Sequence, residues 1–165
     1  LRPAQQKKLK QSIDHLLVVA AYSGSPTIVK TLSKAVGMET LEASLATQMA
    51  LAVTRRYSES HSRFRLLTWV LDASEDGVVL EAQDQREYDD LTLLEQVLAW
   101  PANRRQPFIE RWMAEGVDWN AHHRDGVTRL ATLRRVDPEA AARWVESQLE
   151  ERLTQMPSRR AGVRL

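Results

Sequence analysis

The stretch Gly116-Val117-Asp118-Trp119-Asn120-Ala121-His122-His123-Arg124-Asp125-Gly126-Val127-Thr128-Arg129-Leu130 holds turn residues and helix-start residues at fixed offsets. Gly116 follows the apolar residues Phe108, Ile109, Trp112 and Met113, and glycine readily adopts the left-handed conformation that closes a helix. Asp125-Gly126 is a strong turn dipeptide, and Thr128 then offers a side-chain oxygen to the free N–H groups of a starting helix. A helix stop and a helix start about a dozen residues apart leave too much chain for a simple helical hairpin. The segment between them is therefore expected to project as a finger, with His122, His123 and Arg124 at its tip.

Outward from this stretch the chain reads as a succession of amphipathic helices. Residues 1–11 are basic and polar and form a lead-in helix or linker. Leu16, Leu17, Ala20 and Ala21 give the first narrow apolar face, and small residues there permit close helix approach. A break at residues 22–26 follows, and Pro26 suits the first turn of a second helix carrying Ile28, Val29 and Leu32. Further helices are expected over 41–53, 64–71, 91–100 and 108–113, with Pro101 and Pro107 bracketing a turn. Leu130 and Leu133 start the next inner helix. Asp137-Pro138 caps a last one lined by Ala141, Trp144, Val145 and Leu149. The helix pairs span about 12–37, 41–76, 91–115 and 128–153, and residues 154–165 read as a flexible tail. The polar segment 54–62 is a longer link than the others. It serves either as padding, since lengthening a surface loop costs little entropy, or as a contact site.

Gly116, Asp118, Asn120, Ala121, Asp125, Gly126, Thr128 and Leu130 match in place the junction between two ankyrin repeats, which this chain resembles. Arg129 and Ala131 depart from that pattern, standing where the family has proline and histidine. Leu17, Ala20, Ala21 and Gly24, followed by Ile28, Val29 and Leu32, are similar to an ankyrin helix pair. The segment 77–82 occupies the place of 116–121, with Asp84 corresponding to His123. The pair starts are close to the family's period of about 33 residues, apart from a lengthened second unit. The resemblance implies an all-α solenoid of about four divergent helix pairs with projecting finger loops, spanning residues 12–153. An irregular helical bundle is the rival arrangement for the same helices.

The 165 residues, 43% hydrophobic with a net charge of +1, are enough for an ordinary domain with a buried core. With no cysteine, disulfides, thiolate metal sites and cysteine nucleophiles are excluded. No apolar run approaches the roughly 20 residues of a membrane span, so a soluble protein of the cytoplasm, or one secreted into a host cytosol, is expected. The first residue is Leu1, which is read as a sign of a fragment or processed product. Residues 72–95 hold nine acids against the single Arg86. That excess repels nucleic-acid phosphates and attracts a basic partner surface.

No chemistry-bearing motif survives inspection. His122-His123 lacks any further ligand at usable spacing, so no metal is expected there. Ser58, Ser60 and Ser62 near His61 lack a glycine-framed elbow, and six dispersed glycines build no phosphate loop. The paired arginines at 55–56, 104–105, 134–135 and 159–160 are read as scattered surface charge, without a nucleic-acid track. Neither catalysis nor a cofactor is expected of this segment.

What the ankyrin resemblance implies instead is a protein-binding module acting through finger loops and inner-helix surface. Its partner-binding residues are expected at Arg86, Glu87, Tyr88 and Asp90 of one finger and at Trp119, His122, His123 and Arg124 of the next. Trp119 reads as either a buried wedge or an exposed anchor. A second implication, from a different class, is that the segment recruits substrate for a larger secreted enzyme. Bacterial effectors of the ADP-ribosyl-transfer type, some acting on host caspases, resemble it in carrying a divergent ankyrin region after the catalytic domain.

Overall fold

The computed structural model describes residues 1–55, 60–84 and 90–157. These residues are mostly helical, as expected: eight helices and one two-stranded sheet occur among them. The elements are α1 (Pro3–Tyr22), α2 (Pro26–Ala35), α3 (Ala43–Thr54), α4 (His61–Ala73), α5 (Leu93–Leu98), α6 (Ala102–Ala114), β1 (His122–Arg124), β2 (Val127–Thr128), α7 (Arg129–Val136) and α8 (Pro138–Gln155). The chain divides into two compact units, Leu1–Phe108 and Ile109–Leu165, with the division inside α6.

In the first unit α1 packs against α2 and α3, α3 against α4 and α5, and α2 against α4. Helix α3 is the hub. From Leu45 to Thr54 only Gln48 is exposed. Ala46, Ala50 and Ala52 keep the neighbouring helices close, while Leu45, Met49 and Val53 fill the space between them. Leu66, Leu67 and Val70 of α4 and Leu93, Leu94 and Val97 of α5 complete this core, all 0% exposed. Thr54 Oγ1 lies 2.5 Å from Gln96 Oε1, a buried polar link between α3 and α5.

The first helix begins nine residues earlier than the apolar pattern at 12–21 suggests. Pro3 has no N–H to waste at the first helical position, and the Arg2 N–H is taken up by Gln5 Oε1 at 3.0 Å. Residues 4–10 are strong helix formers that need no core. The buried face is narrower than expected: Leu17, Val18 and Ala21 are inside, whereas Leu16 is about half exposed. The expected turn bracketed by Pro101 and Pro107 is also corrected. Pro107 lies inside α6, whose bonds from the Arg104 and Arg105 N–H groups to Pro101 O start the helix before it. A helical proline forfeits one backbone bond, and here the turn continues through it with Phe108, Ile109 and Trp112 buried beyond.

In the second unit the local chemistry of the opening stretch appears as read. Gly116 has φ +78°, and the N–H of Val117 returns to Trp112 O at 3.0 Å, closing α6. Asp125 and Gly126, with φ +44° and +77°, make the turn between β1 and β2. Thr128 accepts from the Ala131 N–H, and Asp137 from the Ala140 N–H, so α7 and α8 start at their expected caps.

The same bonds recur in the first unit. The Leu93 N–H donates to Ala82 O and the Leu94 N–H to Leu80 O, as the Arg129 N–H does to Ala121 O and the Leu130 N–H to Trp119 O. Thr92 caps α5 as Thr128 caps α7. The segments 77–82 and 116–121 are therefore equivalent in backbone geometry, with Leu80 in the position of Trp119.

Candidate functional site

A groove of about 730 Å³ opens in the first unit between α1, α3 and the finger segment that follows α4. Gln11, Asp14, His15, Val18 and Tyr22 come from α1, and Ser44, Thr47, Gln48 and Leu51 from α3. Asp14 lies one helical turn before the buried Val18, and the exposed Ser44 and Gln48 lie one turn apart on α3. The finger segment contributes Val79, Ala82, Gln83 and Asp84. It is tied to α3 by the Val79 N–H, which donates to Thr47 Oγ1 at 3.0 Å.

Tyr22, Asp84 and Arg55 close one end. The Tyr22 hydroxyl donates to Asp84 Oδ2 at 2.9 Å, and the Arg55 guanidinium stands 5.0 Å above the Tyr22 ring centre and 3.7 Å from the same Asp84 oxygen. The guanidinium thus meets both the ring face and the carboxylate. Burial, and then the hydrogen bond to Asp84, raise the Tyr22 phenol above its ordinary range. At the opposite rim Lys10 Nζ reaches Glu42 Oε2 at 3.1 Å and Asp14 Oδ2 at 3.5 Å, and its pKa is raised, first by the Glu42 bond. Asp14 Oδ1 is shielded from solvent with no hydrogen-bond partner among the described residues.

Because the folded state holds the Tyr22 proton more tightly than the unfolded chain, this group's contribution is fully present below about pH 10, the ordinary phenol value. It is lost as pH rises through the higher folded value. Unfolding midpoints measured across pH 8 to 12 are therefore expected to fall more steeply for the wild type than for Tyr22→Phe on the alkaline limb. Parallel curves would refute the assignment.

The residues expected to bind a partner fare unevenly. Arg86, Glu87 and Tyr88 lie outside the described residues, as do Arg56, Tyr57, Ser58 and Glu59 of the long link. Asp90 is exposed, and its carbonyl accepts from Gln83 Nε2 at 2.7 Å. Trp119 is 0% exposed, which corrects its assignment to a partner surface. It takes the inward position of the finger arm that Leu80 takes in the first unit, and its Nε1 has no acceptor among the described residues.

His122, His123 and Arg124 are not a tip. They form β1, and the turn residues Asp125 and Gly126 lie beyond them. Successive strand side chains face opposite ways, so His122 is exposed, His123 is buried at 6% and Arg124 is half-buried. Of the finger residues named from the sequence, His122 and Asp90 remain exposed and Arg124 partly so.

His61, Arg104 and Arg105 have structural partners. His61 Nδ1 lies 2.7 Å from Arg104 Nη1, and Arg104 covers the Phe64 ring. Arg105 donates to the carbonyls of Leu98 and Trp100. Trp112 and Trp144 are buried, as core packing requires, and Trp69 is half-buried. Among the described residues no group of three or more His, Asp or Glu stands together as a metal site, and no helix is long and apolar enough to cross a membrane.

The groove residues were missed in the sequence because nothing local marks them. Tyr22 and Asp84 are 62 positions apart, and their pairing needs α1 and the finger segment to meet. The signal that could have found them is positional: the Asp84 equivalence to His123 puts it on a finger arm facing inner helices. Chemically the arrangement offers carboxylates, amides and a phenol already committed as a donor, set among apolar side chains. Compared with protein families, with curated proteins and with solved structures, this chain matches none.

Proposed function

We propose that this chain is a non-catalytic protein-binding module built of divergent ankyrin-like helix pairs, and that its first unit binds a segment of a partner protein in the groove between α1, α3 and residues 79–84. The observation that carries the reading is the groove itself: about 730 Å³, lined by two adjacent helices and a finger arm, with an apolar floor and converging polar groups. Support for the repeat architecture comes from the bonds shared by residues 80–94 and 119–130, which repeat one junction twice in the chain. An irregular bundle has no reason to reproduce a finger arm, a threonine cap and two backbone bonds at matching positions.

Gln48 and Ser44 are exposed groove residues on α3, so replacing them leaves the core intact. A photo-crosslinking side chain at Gln48 is expected to capture one defined partner from lysate, and the same group at Lys34 of α2, outside the groove, is expected not to. Gln48→Arg combined with Ser44→Arg is expected to weaken binding of that partner at least about tenfold, or about 1.4 kcal/mol. Equal capture from both positions, or undiminished binding by the double variant, would reject the groove as the contact surface.

A further inference from the structure

Resting on that reading, we infer that the segment bound in the groove is basic, and that it places a lysine or arginine side chain against Asp14. Three features of the groove select this chemistry. Asp14 lines it with its side chain 26% exposed, and its Oδ1 is shielded from solvent without a hydrogen-bond partner among the described residues. A buried carboxylate oxygen with no donor is costly, and a charge-assisted donor is the partner that best offsets the cost. Val18, Leu51 and Val79 line the same groove. An apolar wall beside a carboxylate suits side chains whose long aliphatic stem packs while the cationic head is hydrogen-bonded. Asp84 adds a second carboxylate, set at the end where Tyr22 and Arg55 hold it.

Lys10 reaches Asp14 through Oδ2 and is shared with Glu42, an exposed cation between a half-buried acid and an exposed one. Such a surface arrangement is weakly held, and it shows that the rim accommodates an ammonium. Arg55 is stacked on Tyr22 and engages Asp84. His15 is exposed at the groove. The acidic run 72–95 extends the same sign of potential along the chain, which favours encounter with a basic segment.

The test uses the full chain and pools of random hexapeptides fixed at one central position as lysine, arginine, norleucine or glutamate, with binding followed by fluorescence anisotropy. The lysine and arginine pools are expected to bind at least about tenfold more tightly than the norleucine pool, and the glutamate pool least. Asp14→Asn is expected to remove that preference, bringing the lysine and arginine pools to the affinity of the norleucine pool. Glu75→Gln, which removes an exposed acid outside the groove, is expected to leave both unchanged.

If all four pools bind equally, the basic-side-chain inference is overturned while the protein-binding groove stands. If no pool binds although the helical circular dichroism is intact, the groove reading falls with it. A preference lost equally in Glu75→Gln would mean diffuse attraction and would overturn the role of Asp14. Binding of spermidine with no binding of the lysine pool would identify a small polycation as ligand and overturn the peptide assignment.

Discussion

Trp119→Ala is expected to destabilise the second unit by about 3–5 kcal/mol, the range for removing a buried tryptophan side chain. Trp119 is 0% exposed and is among the largest fully buried side chains in the chain. Its backbone carbonyl accepts from the Leu130 N–H at 2.7 Å, so the side chain sits where the finger arm is fastened to the start of α7. Removing the indole leaves a cavity at that junction. Trp119→Phe keeps most of the volume and dispenses with an Nε1 that has no acceptor, so it is expected to recover more than half of the loss. Urea unfolding followed at 222 nm, with hydrogen exchange at the Leu130 amide, measures both variants. An unchanged midpoint for Trp119→Ala would show that the side chain is not part of the folded core.

Arg63→Ala is the second large effect expected, about 3–5 kcal/mol. Arg63 is only 8% exposed, and its guanidinium forks between two helix ends: Nη1 donates to Val53 O at 2.8 Å and Nη2 to Tyr22 O at 2.9 Å. These carbonyls belong to the last turns of α3 and α1, where no intrahelical N–H remains to satisfy them. A cation there also meets the negative ends of two helix dipoles. Leaving each carbonyl without its donor costs about 1–3 kcal/mol, and loss of the buried stem adds to this. Arg63→Lys keeps the charge, but a single ammonium cannot reproduce a planar fork reaching two acceptors in fixed directions. It is expected to recover less than half. A urea midpoint for Arg63→Ala within error of the wild type would refute the bridging role, and full recovery by lysine would show that charge alone suffices.

The local half of this architecture was legible in the sequence. Gly116, Asp125-Gly126, Thr128 and Asp137-Pro138 determine a helix stop, a tight turn and two helix starts, because each effect needs only the residue and its neighbours within four positions. The equivalence of 77–82 with 116–121 was legible for the same reason. The helices themselves were found by their apolar spacing. Their ends were not, since α1 extends to Pro3 on propensity and α6 carries Pro107 within it.

The candidate site was not legible, because sidedness and partnership are properties of assembled elements. Tryptophan on a finger arm is equally compatible with an anchor and a wedge, and what decides is which face of the arm meets the packed helices. Here Trp119 and His123 turn inward while His122 turns out. Arg63 was one of eighteen arginines by its sequence, and only the approach of the α1 and α3 ends to α4 makes it a buried bridge. Tyr22, Arg55 and Asp84 are each unremarkable in their own segments, and it takes three elements meeting to join them. The sequence alone determined the helix stop at Gly116, the turn at Asp125-Gly126 and the helix starts at Thr128 and Asp137, because capping and backbone dihedral preferences are local. Which side chains became core and which line a groove was decided by the tertiary structure, because burial depends on neighbours that lie tens of residues away along the chain.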